Sequence, residues 1–153
     1  SLVVNTSNKS ELAVGYSTQY GDSVGAISLL GDLYKSEVYE LAHFINEQFN
    51  GIIPKQIIER APSAELRPHQ SDAQSLPEYE RLDAMLEGIL SFQYTKEELI
   101  EHGHNKVELE QVIQLYTRSE YKRYQFAPIV KISSKSFGFG YRIPISKRND
   151  IFL

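Results

Sequence analysis

The sequence predicts an α/β protein that is mostly helical, and three features carry that reading. A short apolar run at residues 2–4 reads as a buried strand and leads through a polar turn straight into a helix start. Apolar residues then recur at helical spacing in successive segments between Tyr34 and Tyr116. Strand-like segments are too few for a self-contained sheet, so the helices are expected to lean on strands that lie elsewhere.

Residues 2–4 end at the capping-rich cluster Asn5, Thr6, Ser7, Asn8. Asn8 and Glu11 stand in the relation of a capping box and predict a short helix through Val14. Strand, turn and helix in that order place free backbone amides at a strand's C-terminal end, where open α/β sheets bind ligands. Residues 15–31, punctuated by Gly15, Gly21, Gly25 and Gly31, read as a long loop of the kind that is commonly functional. Asp32 is expected to cap the next helix, whose stripe is Tyr34, Val38, Leu41, Ala42, Ile45 and Phe49.

Pro54 opens a short helix through Arg60, and residues 61–77, with three prolines, read as irregular. Tyr79, Leu82, Leu86, Ile89 and Leu90 define another amphipathic helix. Thr95 with Glu98 and Asn105 with Glu108 are two further capping boxes, separated by Gly103 as a helix stop. The last of these helices is expected to bury Leu109, Val112, Ile113 and Tyr116. Beyond Tyr124 the pattern gives way to a basic, Gly- and aromatic-containing tail.

Composition bounds the function. With 153 residues, 41% apolar and 24% charged, the chain has the size and balance of one ordered domain. No apolar stretch is long enough to span a membrane, and no basic region followed by an apolar run marks a signal peptide. The lack of cysteine removes disulfides and thiol chemistry, which fits a cytoplasmic protein. The opening Ser1, without methionine and directly before a strand, suggests a piece cut from a longer protein. The net charge of −4 is uneven: Lys131, Lys135, Arg142, Lys147 and Arg148 against Asp150 give residues 128–153 +4, leaving −8 on the rest. A tail of that kind fits phosphate or nucleic acid, but the acidic body argues against nucleic acid and a solvated surface explains the charges more simply. His102 and His104, two apart, with His43 and His69 isolated, lack the spacing of a metal site.

Three segments in register resemble the NAD synthetase family, most closely its glutamine-dependent form. They are residues 5–16 (NTSNKSELAVGY) with Thr18 and Tyr20-Gly21-Asp22, residues 62–68 (PSAELRP) with Gln70, Asp72 and Ser75-Leu76-Pro77, and residues 119–123 (SEYKR) with Lys131-Ile132-Ser133, Phe137-Gly138 and Arg142-Ile143-Pro144-Ile145. The resemblance implies the C-terminal, mostly helical part of a Rossmann-like ATP-pyrophosphatase domain spanning residues 1–153. It implies a ligase that adenylylates deamido-NAD with ATP and Mg2+, then lets ammonia displace AMP. It also implies an N-terminal glutaminase domain that releases the ammonia from glutamine, and a homo-oligomer that is at least a dimer.

Carried over residue by residue, the resemblance makes Thr6, Lys35 and Ser63 contacts to ATP. Glu11 and Lys122 become contacts to deamido-NAD, Glu11 also being a candidate Mg2+ ligand, and Tyr16, Ser17 and Thr18 lie against the nicotinate half. Each residue has a plainer explanation: a cap or turn for Thr6, Glu11 and Ser63, an exposed lysine for Lys35, a helix-end cation for Lys122, a core tyrosine for Tyr16. Arg67 receives no catalytic role. Gln19 and Ala26 replace a lysine and an aspartate of the ammonia-dependent members, which favours the glutamine-dependent branch. The family's Ser-Gly-Gly-x-Asp-Ser loop is not among these residues, and Gly138-Phe139-Gly140 is no substitute for it. The alternative is a helical interaction module with a basic phosphate- or nucleic-acid-binding tail.

Overall fold

The computed structural model describes residues 1–63, 72 and 75–146. Expectations resting on Arg67, His69, Lys147, Arg148 and Asp150 lie outside them.

The first strand, β1 (Val4–Asn5), pairs in parallel with β2 (Ile27–Ser28). A single parallel bridge adds Ile129 on the far side of Ser28. Both β2 and the bridge fall where the sequence reads as loop or tail. Two-residue strands carry no periodicity to detect. The expected buried strand at residues 2–4 is corrected: Leu2, Val3 and Val4 are exposed, and the buried member of the pair is Asn5. Asn5 turns its side chain inward, where its amide donates to Asp22 O at 2.6 Å and its Oδ1 accepts from Ser7 N at 2.9 Å.

Seven α-helices are described: α1 (Lys9–Val14), α2 (Lys35–Gln48), α3 (Lys55–Glu59), α4 (Tyr79–Glu87), α5 (Lys96–Glu101), α6 (Lys106–Arg118) and α7 (Glu120–Tyr124). A π-helical turn over Gly88–Phe92 prolongs α4, and a 3-10 turn over Phe139–Tyr141 lies in the tail. Short α1 is the hub. Its Leu12, Ala13 and Val14 are enclosed with Leu82, Met85 and Leu86 of α4 and Leu109, Val112 and Tyr116 of α6. Each such aliphatic side chain contributes about 1.5–3 kcal/mol by leaving water, which lets so short a helix hold its place.

The Asn8 and Thr95 capping boxes are both closed, side chain to amide in each direction. Asn105 caps Val107 N and Glu108 N, but Glu108 turns to Arg81 at 3.3 Å. Asp32 does not cap α2. It is buried and accepts from Ile132 N at 3.0 Å, Ser133 N at 2.9 Å, Ser133 Oγ at 2.8 Å and Phe137 N at 2.8 Å, so it moors the tail. The expected stripe on α2 is helical but only partly covered, Tyr34 at its start being buried. No residue of that helix is buried, and Leu41, Phe44 and Phe49 are exposed.

Gly15 ends α1 at φ +67°, in the left-handed region that favours glycine. A Cβ there would overlap the Ser119 hydroxyl, which donates to Val14 O at 2.9 Å. Gly15→Ala is expected to lower stability by about 1–2 kcal/mol, measured as a shift in denaturation midpoint at unchanged slope.

Candidate functional site

The turn after β1 and the first turns of α1 and α2 meet at one corner. Glu11, third residue of α1, accepts Asn8 N–H on Oε2 at 3.2 Å and the Lys35 ammonium on Oε1 at 3.0 Å. Both side chains of that ion pair remain about a fifth exposed, so the pair is reachable from solvent. The Lys35 ammonium also lies 5.3 Å from the centre of the Tyr79 ring and 5.9 Å from that of Tyr39, a cation–π setting. Tyr79 in turn donates to Asp72 Oδ2 at 2.8 Å, and burial pushes its phenol far above the ordinary value.

Lys35 lines a groove of about 400 Å³ with Val38, Tyr39, Ile53, Ile57 and Ser63 among its walls. The lining carries two cations, Lys35 and Arg60, and the Ser63 hydroxyl, and the rest is largely apolar. That pattern suits a flat aromatic body with a charged appendage.

The start of α2 is held from a distance. Asp83, buried on α4, accepts Ser36 N–H at 2.9 Å and Ser36 Oγ–H at 2.8 Å on Oδ2, and the Ser10 hydroxyl on Oδ1. Ser10 Oγ accepts Lys35 N–H at 2.9 Å. Burial raises the Asp83 carboxyl above its usual range, although hydrogen bonds from Ser10 and Ser36 oppose this.

A second group gathers beyond the end of α1. The Lys122 ammonium donates to Gly15 O and Ser17 O, each at 2.7 Å. Ser17 Oγ accepts from Ser23 Oγ at 2.8 Å, and Thr18 N–H donates to Asp22 Oδ1 at 2.5 Å. Tyr16 is half-buried against the core. Lys122 thus neutralises the C-terminal carbonyls of α1 rather than those of its own helix.

Of the residues singled out by sequence, Glu11, Lys35 and Ser63 come together at the groove or its edge. Tyr16, Ser17, Thr18 and Lys122 form the second group. Thr6 lies exposed in the turn before α1 and belongs to neither. Glu11 accepts Asn8 N–H and the Lys35 ammonium, one on each oxygen, which leaves each oxygen a second lone pair for a dication at that point. Among the described residues no three His, Cys, Asp or Glu side chains gather around such a point.

Tyr79, Asp72 and Asp83 are absent from the sequence-based set. Tyr79 passes for a core residue because it opens an apolar stripe. Asp83 carries a signal that could have found it: a carboxylate beside Leu82 and Leu86 on the face that must be buried. In the tail, Lys135 lies over the Tyr141 ring at 4.1 Å, and Arg142 is held between Tyr124 at 4.6 Å and Phe139 at 4.9 Å. Both cations lie against aromatic rings, and Arg142 Nε and Nη1 have no hydrogen-bond partner among the described residues.

Comparison with known proteins gives this geometry a family. The NAD synthase family model matches residues 1–126. The glutamine-dependent NAD(+) synthetase of Acinetobacter baylyi is 48% identical over 145 residues, 94% of this chain and 27% of its own length. The glutamine-dependent NAD(+) synthetase of Thermotoga maritima is 40% identical over 148 residues, 96% of this chain and 26% of its own. The chain therefore spans about a quarter of the length of the curated relatives it matches. Among solved structures, a glutamine-dependent NAD(+) synthetase from Cytophaga hutchinsonii shares the fold with a TM-score of 0.74 at 21% identity, covering 97% of this chain and 25% of that one. NMN synthetase from Francisella tularensis gives a TM-score of 0.60 at 28% identity, over 86% of this chain and 46% of that one. With the match running through β1, α1, the groove helices and Lys122, the chain belongs to the NAD synthase family.

Proposed function

We propose that this chain forms part of the site at which a glutamine-dependent NAD synthetase converts deamido-NAD to NAD. The observation that carries the reading is a groove lined by Lys35, Arg60 and Ser63 together with apolar side chains, in a chain of this family. ATP fits it in chemical type, with the base against Val38, Tyr39 and Ile57 and the phosphates toward Lys35.

In this reading a carboxylate oxygen of deamido-NAD attacks the α-phosphorus of ATP. The bond to the β-phosphate oxygen breaks and pyrophosphate leaves. Two anions approach one another in that step, so a fixed ammonium lowers its barrier. Lys35 is that cation, Glu11 aims it, and Glu11 is also the residue that would hold Mg2+. Ammonia then adds to the acyl carbon, AMP departs with its phosphate oxygen, and loss of a proton leaves the amide. Tyr16, Ser17, Thr18 and Lys122 form the deamido-NAD side, with Lys122 holding the backbone at Gly15 and Ser17 in place. Thr6 would meet the nucleotide at the end of β1.

The wider expectations belong to the same reading: a Rossmann-like sheet completed by further strands, a glutaminase domain as the ammonia source, assembly at least as a dimer, and action in the cytoplasm. No described helix is long and apolar enough to cross a membrane.

Pyrophosphate release from ATP, deamido-NAD and ammonium tests the proposal in the full-length enzyme. Lys35→Ala is expected to raise KM for ATP roughly 10–100-fold, the effect of losing one charge-assisted contact to phosphate. An unchanged KM would remove Lys35 from the ATP site. The 153 residues alone are expected to give no turnover, because the glycine loop that grips pyrophosphate in the family is not among them. Robust turnover by that span would overturn this part.

A further inference from the structure

We infer that Asp83 is the positioning residue for Lys35, acting as an N-terminal cap delivered to α2 from a different helix. The inference rests on the ATP reading of the groove.

A helix begins with backbone N–H groups that have no partner inside it, and a capping side chain at its first position ordinarily takes them. Here that position is Tyr34, whose side chain makes no such bond. The first two helical amides of α2 belong to Lys35 and Ser36. Ser36 N–H goes directly to Asp83 Oδ2 at 2.9 Å, and Lys35 N–H goes to Ser10 Oγ at 2.9 Å. Ser10 passes its own proton to Asp83 Oδ1. One carboxylate thereby fixes α1 through Ser10, α2 through Ser36, and the backbone of Lys35 through the pair.

The chemistry favours a carboxylate at this place. Ser10 can accept from Lys35 only if its own hydrogen points to an acceptor, and Asp83 is that acceptor. The negative charge also lies at the positive end of the α2 dipole. Asp83 is 5% exposed and the Ser10 side chain is fully buried, so water offers no ready substitute. The side chain of Lys35 is tethered only at its tip, by Glu11 at 3.0 Å. With the backbone fixed by Asp83 and the tip by Glu11, the ammonium has one place to stand. Without Asp83, the first turn of α2 frays and the ammonium leaves its place in the groove.

The experiment uses the full-length enzyme. Asp83→Asn keeps the shape and one acceptor but removes the charge and the second acceptor. It is expected to raise KM for ATP about tenfold, the scale of one charge-assisted hydrogen bond, and to lower kcat as well, because the displaced ammonium no longer lowers the barrier of adenylyl transfer. In a Lys35→Ala background the same substitution is expected to leave KM unchanged, because there is no longer an ammonium to place. If Asp83→Asn lowers the melting temperature while KM for ATP stays at the wild-type value, Asp83 is merely structural and the inference falls. An undiminished KM effect in the Lys35→Ala background also overturns it. Should Asp83→Asn fail to fold, Ser36→Ala, which removes one hydroxyl from the carboxylate, is read by the same two criteria. Lys35→Ala separates the two ideas. If it leaves KM for ATP unchanged, the ATP reading has failed. If it raises KM and Asp83→Asn does not, only the positioning inference has failed.

Discussion

Arg123→Ala is expected to destabilise the chain by about 3–5 kcal/mol, enough to leave a marginally stable domain largely unfolded. Arg123 is 4% exposed and makes four hydrogen bonds: Nε and Nη2 to Glu120 Oε2 at 3.1 and 2.8 Å, Nη1 to Ala13 O at 2.5 Å and Nη2 to Tyr116 O at 2.6 Å. Its guanidinium also lies 4.2 Å from the centre of the Tyr116 ring. Alanine leaves the Ala13 carbonyl without this donor and, more costly, strands the buried Glu120 carboxylate, whose Oε1 already lacks a partner, while Tyr116 O keeps the Ser119 N–H at 3.3 Å. The cost is that of an uncompensated charge, so it depends on the partner. Removing the charge as well, in Arg123→Met with Glu120→Gln, is expected to recover a large part of the loss. Urea denaturation of the two variants checks both statements. Equal destabilisation by the single and double substitutions would contradict the charge argument.

Asp32→Asn is expected to cost about 2–3 kcal/mol and to release the tail from the body. Four donors converge on that carboxylate, three of them backbone amides about a hundred residues downstream. Asparagine keeps one acceptor oxygen and turns its N–H2 either to the three donors at Oδ2 or to the one at Oδ1. Burial by itself would raise the Asp32 carboxyl, but the hydrogen bonds from Ser133, Phe137 and Ile132 outweigh it and hold the group below its ordinary value of 3.8. For a carboxylate with a depressed folded-state value, the stabilisation is present above the unfolded value and is lost as pH falls through the folded one. The difference in stability between wild type and Asp32→Asn is thus expected to be full near neutrality and to shrink below about pH 4. Asp83 has the opposite shift and does not contribute to that acid loss. Amide hydrogen exchange at Ile132, Ser133 and Phe137 locates the effect. Protection there that survives Asp32→Asn would show that the tail is held by something else.

The sequence made some of this legible and hid the rest for physical reasons. Capping boxes read well at Asn8 and Thr95 because both partners lie within four residues and the spacing is the whole of the signal. Asp32 misled because it stands where a cap belongs, while its true partners are separated from it by the length of the chain. The stripe on α2 gave the helix correctly and left its burial open, since periodicity says which face is apolar and not whether anything covers it. Strands of two residues left no pattern. The candidate site divides in the same way. The resemblance pointed to Glu11, Lys35 and Ser63 one by one. Their meeting at one groove, with Asp83 behind them, depends on how α1, α2 and α4 pack.

The mooring of the tail at Asp32 has a consequence for how such a chain is made. Synthesis runs from the amino end at about 5–20 residues per second. The amides that complete Asp32 emerge a hundred positions after it. For roughly 5–20 s at that pace the carboxylate exists on the nascent chain without its partners. During that interval it stays hydrated at the surface, and α1 and α2 must assemble around an unsealed neighbour. Closure of this corner therefore comes no earlier than the synthesis of residues 132–137, whatever the intrinsic speed of helix packing.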